Sequence, residues 1–97
     1  MRSRYAAFVK RDVHYLKETT WPAQQKHFDE VGYTVRANSS IWLGLTIHET
    51  EDGLKADTRG TVTFTAKSMV NGVIDNHTEK SLFKKKAGKW YYVKAID

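Results

Sequence analysis

The sequence predicts an α+β fold in which two or three N-terminal helices pack on a four-stranded antiparallel sheet, and three observations carry that prediction. Over residues 2–16 apolar side chains recur at intervals of three and four, the spacing of one helix face. From Ile41 they alternate with period two, as in a strand with one buried face. Two turn signals, Asn71-Gly72 and Ala87-Gly88, then divide the second half into consecutive hairpins.

The first helical segment spans Arg2 to Leu16, with Tyr5, Phe8, Val9, Val13 and Leu16 as its buried stripe and Arg4, Lys10, Arg11 and Lys17 mostly outside it. Asp12 has the side chain of an N-cap, which would break the segment near Arg11 into two short helices. Thr19-Thr20-Trp21-Pro22 ends it, because the residue before a proline is pushed out of the helical region and Pro22 can open the next helix at its first turn. Trp21, at that corner, is expected to plug a gap in the packing. A weaker helical pattern follows from Ala23 to about Ala37, carried by Phe28, Val31 and Val35 and interrupted by Gly32; Asn38-Ser39-Ser40 closes it.

In the first strand Ile41, Leu43, Leu45 and Ile47 alternate with Trp42, Gly44, Thr46 and His48, and Glu51-Asp52-Gly53 turns the chain into a second strand beginning near Leu54. Leu54, Ala56, Thr58, Gly60, Val62, Phe64 and Ala66 are its inward side. With Asn71-Gly72 as a two-residue loop, Val70 faces Val73, Ala66 faces His77, Phe64 faces Glu79 and Val62 faces Ser81. With Ala87-Gly88 as the next, Phe83 faces Tyr92, Lys85 faces Trp90 and Ser81 faces Lys94. His77, Glu79, Ser81, Phe83, Trp90 and Tyr92 therefore share the inner face with Val62 and Phe64, and a one-residue slip would send them all to solvent. The outer face, bearing Trp42, Thr61, Thr63, Thr65, Thr78 and Leu82, would suit a homodimer.

A chain of 97 residues, 40% of them hydrophobic and 12% aromatic, makes a single packed domain over residues 1–97. It has no cysteine, which excludes disulfides and thiolate metal sites; His14, His27 and His48 show no metal-ligand spacing, so no metal or cofactor is expected. With no signal-like or membrane-length apolar run, a soluble, cytoplasmic protein without membrane contact is expected. The net charge of +5 permits an acidic partner without requiring one.

Several blocks then carry a resemblance: Met1-Arg2-Ser3-Arg4-Tyr5-Ala6-Ala7-Phe8, Trp42-Leu43-Gly44-Leu45, Glu79-Lys80-Ser81-Leu82-Phe83 and Gly88-Lys89-Trp90-Tyr91-Tyr92-Val93. In this order they resemble the central domain of the YchJ family, over essentially the whole chain. The resemblance implies an NTF2-like (cystatin-like) cone, a curved sheet wrapped around the helices with an internal pocket. Relatives commonly bear Cys-rich SEC-C segments, thought to bind zinc, and the absence of cysteine here keeps that role from carrying over. NTF2-like proteins include isomerases, cyclases, dehydratases, transport factors and dimerisation modules, so the resemblance implies a fold and no particular reaction.

Glu79 is the first candidate for chemistry, since a carboxylate among Phe64, Phe83 and Tyr92 would be desolvated, which suits general acid or base work. His77 could partner it, and Tyr92 or Tyr5 could donate to a developing oxyanion. A structural ion pair from Arg2 or Arg4 to Glu79 competes with catalysis and is preferred. Ser81 lacks a base and orienter, which argues against a serine hydrolase. The expected pocket is thus Glu79 and His77 with Arg4, Tyr5, Phe64, Ser81, Phe83, Trp90 and Tyr92. The preferred function is a binding or accessory module for an unknown small molecule or protein, with an isomerase or dehydratase using Glu79 as base as the alternative. Lys80, Lys84, Lys86, Lys89 and Lys94 beside Trp90 and Tyr91 have the composition of a nucleic-acid platform, but Trp90 and Tyr92 point inward in this register, which weighs against that partner.

Overall fold

A computed structural model describes residues 1–52 and 57–96 of the chain. Helices α1 (Arg2–Lys10) and α2 (Val13–Glu18), a 3-10 helix (Pro22–His27) and α3 (Glu30–Ser39) precede four strands: β1 (Ile41–Asp52), β2 (Arg59–Val70), β3 (Val73–Lys86) and β4 (Lys89–Ala95). The strands form one antiparallel sheet in the order β1-β2-β3-β4, and the fold is α+β as expected. The expected turn at Gly53 and the inward placement of Leu54 and Ala56 lie outside the described residues.

The break near Arg11 is made by two local devices. Arg11 adopts the left-handed conformation (φ 60°) and closes α1, and the Asp12 carboxylate accepts a hydrogen bond from the Tyr15 backbone N–H to open α2. The next segment differs from the single helix expected from Ala23 to Ala37. Pro22 opens a 3-10 helix, and a second N-cap, Asp29 accepting from Gly32 N–H, starts α3. The valines expected to face inward do not: Val9, Val31 and Val35 are 50%, 75% and 60% exposed. Small residues, Ala7 and Ala37, are buried instead, and aromatic stacking joins the helices, with Tyr33 stacked on Phe28 and Phe8 at centroid distances of 4.4 and 5.8 Å. Three stacked rings remove more apolar surface than the two valines of α3 could, so they set the helix rotation.

The β2–β3 hairpin has the expected register throughout, from Val70 opposite Val73 to Val62 opposite Ser81. Asn71 and Gly72 both have positive φ, 52° and 77°, as the tight two-residue turn requires. Ala87 and Gly88 repeat the geometry at 52° and 78°, setting Phe83 opposite Tyr92 and Lys85 opposite Trp90. Beyond them a register shift leaves Ser81 opposite Ala95 rather than Lys94, because β4 has one extra residue at Val93. Two more shifts interrupt β1, between Trp42 and Gly44 and between Ile47 and Glu49. The first puts Trp42 opposite Ser68, on the inner face, where its ring meets Tyr5 and Phe8. Trp42 therefore does not belong to the outer face as expected.

Leu16 and Ser81 have no exposed surface, and Ala7, Ala37, Phe64, Ala66 and Phe83 are buried with them. Leu82 is also buried, although its register places it on the outer face. At the open edge of β4, Thr20 adds a single parallel bridge: Trp21 N–H donates to Tyr92 O and Tyr92 N–H to Thr19 O, both at 2.8 Å. This covers part of an edge that would otherwise invite pairing. Trp21, expected to plug a gap, is half-buried and lies edge-on against Tyr91.

Candidate functional site

The period-two alternation of β3 puts His77, Glu79 and Ser81 on one side, and the second hairpin brings Tyr92 alongside. Glu79 gathers all three: His77 Nε2–H donates to Oε1 (3.1 Å), Tyr92 O–H donates to Oε2 (3.2 Å), and the Ser81 hydroxyl also donates to Oε2. An ionised carboxylate offers about four acceptor positions, so three side-chain donors leave it nearly saturated. The Glu79 side chain is 17% exposed and faces a cavity of about 60 Å³ lined also by Arg4, Tyr5, Tyr33, Trp42 and Phe64. That is room for a few waters, against roughly 300–1,000 Å³ for small-molecule sites.

The ion pair expected between Glu79 and Arg2 or Arg4 is not formed. Arg4 is 4% exposed, yet its Nη1 donates to Leu16 O (3.0 Å) and Thr19 Oγ1 (2.7 Å), at the C-terminal end of α2. Carbonyls unsatisfied at a helix end attract a cation, and here they hold the guanidinium in place of the Glu79 carboxylate. Its Cζ lies over the Tyr92 ring, 4.6 Å from the centroid. Burial lowers the Arg4 pKa, and the Tyr33 and Tyr92 phenols act in the opposite sense. Burial first, and the Glu79 charge second, push the Tyr92 phenol up to about 12. Tyr92 is thus a neutral donor clamped between a cation on its face and a carboxylate at its hydroxyl.

The family described as YchJ, middle NTF2-like domain, matches residues 1–95. The chain belongs to that family. A UPF0225 protein of Geobacter sulfurreducens is 40% identical over 92 residues, covering 95% of this chain and 57% of that protein. One from Actinobacillus succinogenes is 38% identical over 93 residues, covering 96% and 60%. The YchJ-type chain thus spans less than two thirds of the length of these curated relatives. Among solved structures, a SEC-C motif containing protein from Rhodopseudomonas palustris superposes with a TM-score of 0.89 at 34% identity, covering all of this chain and 76% of that one. Another from Psychrobacter arcticus gives 0.83 at 30%, covering 97% and 56%.

Within this YchJ-type fold, Arg4, Tyr5, Phe64 and Tyr92 line the cavity with Glu79 and His77. Ser81 lies beneath it as a fully buried donor. Phe83 and Trp90 do not reach it; they line a separate depression with Gly60 and Val62. Sequence reasoning missed Tyr33, Arg36 and Trp42 as lining residues, together with Met1, Phe8 and Ala66. The Asp29 cap could have fixed the frame of α3 and so found Tyr33, whereas nothing in a strand pattern announces the bulge that turns Trp42 inward. Lys84 and Lys86 each lie within 6 Å of the Trp21 ring, and Lys85 lies near Trp90. Among the described residues no group of three or more His, Asp or Glu could hold a metal ion, and no helix is long and apolar enough to cross a membrane.

Proposed function

We propose that this YchJ-type domain is a binding or accessory module in which the Glu79 cluster is a structural keystone rather than a catalytic base. The observation that supports this is the saturation of Glu79 by three internal donors beside a cavity of about 60 Å³. A general base needs a free lone pair aimed at a substrate, and both the lone pair and the room are in short supply. The isomerase or dehydratase alternative would have to open the cavity and release at least one donor first. Glu79→Gln tests the proposal. The amide keeps the shape but loses the charge-assisted bonds, so the variant should be less stable to urea by about 1–3 kcal/mol. The reading is wrong if Glu79→Gln is as stable as the parent while a fragment that shifts the Phe64 and Tyr92 resonances loses its affinity.

A second copy of the chain is the protein partner that the charge pattern of the outer face favours. Along β1 that face carries Glu49 and Glu51, the latter paired within the chain to Lys80 of β3 (3.6 Å), and along β3 and β4 it carries Lys84 and Lys94, with Thr61, Thr63, Thr65 and Thr78 between. A two-fold axis parallel to the strands would lay β1 of one protomer over β4 of the other, acid against base.

A further inference from the structure

A second concavity, of about 460 Å³, opens between α3 and the far end of the sheet. Its volume falls in the range of roughly 300–1,000 Å³ typical of small-molecule sites, unlike the Glu79 cavity. The two share only Arg36, Trp42 and His77. Ser68 lines the groove and is 6% exposed. Trp42 Nε1 is a buried donor without an acceptor among the described residues. A buried donor left unmade beside a groove is costly in an isolated fold and asks for an acceptor from outside.

Charge narrows what that acceptor belongs to. Arg36 lines the groove with its guanidinium held 5.7 Å from the Phe8 centroid, a pre-positioned cation. Asp75, directly opposite Ser68 on β3, supplies an anion on the same face. Directly opposed residues sit ~5 Å apart at Cβ, a spacing over which one α-amino acid can offer its carboxylate to one side and its ammonium to the other. Val35 and Val70 complete the lining with an apolar surface.

We propose that the groove binds a free amino acid with an aliphatic side chain, its carboxylate on Ser68 and Arg36, its ammonium on Asp75 and its side chain on Val35 and Val70. Trp42 stands beside a β-bulge, where a strand is locally unpaired, and its unmatched indole N–H is the further donor offered to the same carboxylate. This deepens the reading of the domain as a binding module and rests on it.

L-leucine is the probe, titrated into the ¹⁵N-labelled chain while the indole N–H resonance of Trp42, assigned with Trp42→Phe, is followed. The resonance is expected to shift to saturation. N-acetyl-leucine and leucinamide, each lacking one charge, should bind about 10-fold more weakly, as should Arg36→Gln and Asp75→Asn, since a charged hydrogen bond is worth roughly that factor. Both substitutions are at exposed positions, and a dispersed spectrum verifies the fold. No movement of Trp42 at saturating leucine, or N-acetyl-leucine binding as tightly as leucine, overturns the proposal. Absence of binding with Glu79→Gln still destabilised overturns the groove alone, whereas chemical turnover of leucine overturns the binding-module reading with it.

Discussion

Tyr92 joins the helices to the sheet through both its side chain and its backbone. Its hydroxyl donates to Glu79, its ring supports the Arg4 guanidinium, and its backbone N–H and C=O hold Thr19 and Trp21. A phenol raised from 10 to about 12 keeps its proton more tightly in the folded chain than in the unfolded one. The corresponding stabilisation is complete below pH 10 and is lost as pH rises through about 12. Because Tyr92 is only partly buried, solvent screening reduces this contribution to about 1 kcal/mol. Urea unfolding across that interval should therefore cost the parent about 1 kcal/mol more than Tyr92→Phe, which has no phenol to titrate. Equal losses in the two proteins would show that the hydroxyl is not coupled to Glu79. The pairing of Tyr92 with Phe83, and hence its inward direction, was legible in the sequence from the Ala87-Gly88 turn. The fate of Arg4 was not, because both the Glu79 carboxylate and the α2 carbonyls are chemically sound partners for a guanidinium, and the choice between them is one of distance.

Turns and bulges act in opposite senses on the strands. A two-residue turn sets register from residues adjacent in the chain, which is why every pair from Val70–Val73 to Val62–Ser81 could be counted. A bulge inserts one residue with no composition of its own, and the three here moved Trp42 inward, changed the facing of β1 near His48 and shifted the partner of Ser81. The second turn has a flaw that can be measured. Ala87 holds φ at 52°, a conformation that disfavours a residue with a Cβ by ~1–2 kcal/mol, whereas Asn71 occupies the equivalent position in the first hairpin. Ala87→Asn should recover about 1 kcal/mol and raise the thermal midpoint by about 4–8 °C, read by circular dichroism. A midpoint that stays put or falls would mean that the turn carries no such strain. In the helices the Asp12 cap was legible because it lies next to its own helix start; the valine stripe of α3 failed because aromatic stacking with α1 outbid it.

At the scale of the molecule, one layer of short helices covers one side of the sheet and leaves the other to a threonine-rich face with acid along β1 and base along β4. If two copies meet there, sedimentation at low salt should show a dimer that weakens steeply as salt is added, since exposed charges are screened beyond about 10 Å at 0.1 M. Lys94→Glu should dissociate it, and combining that change with Glu49→Lys should restore it. A monomer at all salt concentrations, or a double variant no better than the single one, would remove this face from consideration as a dimer interface.

The element order, the pairing of the first hairpin and of the second as far as Phe83–Tyr92, and the inward direction of His77, Glu79 and Ser81 were determined by the sequence alone, because turn chemistry and a period of two act between near neighbours. Which groups close the cavity, which carbonyl holds Arg4, and how little room is left beside Glu79 were decided only in the folded molecule. Those outcomes depend on how α1 and α3 rotate onto the sheet and where an unsignalled bulge turns a tryptophan. Such rotations are settled by contacts between residues far apart in the chain, and no local pattern encodes them.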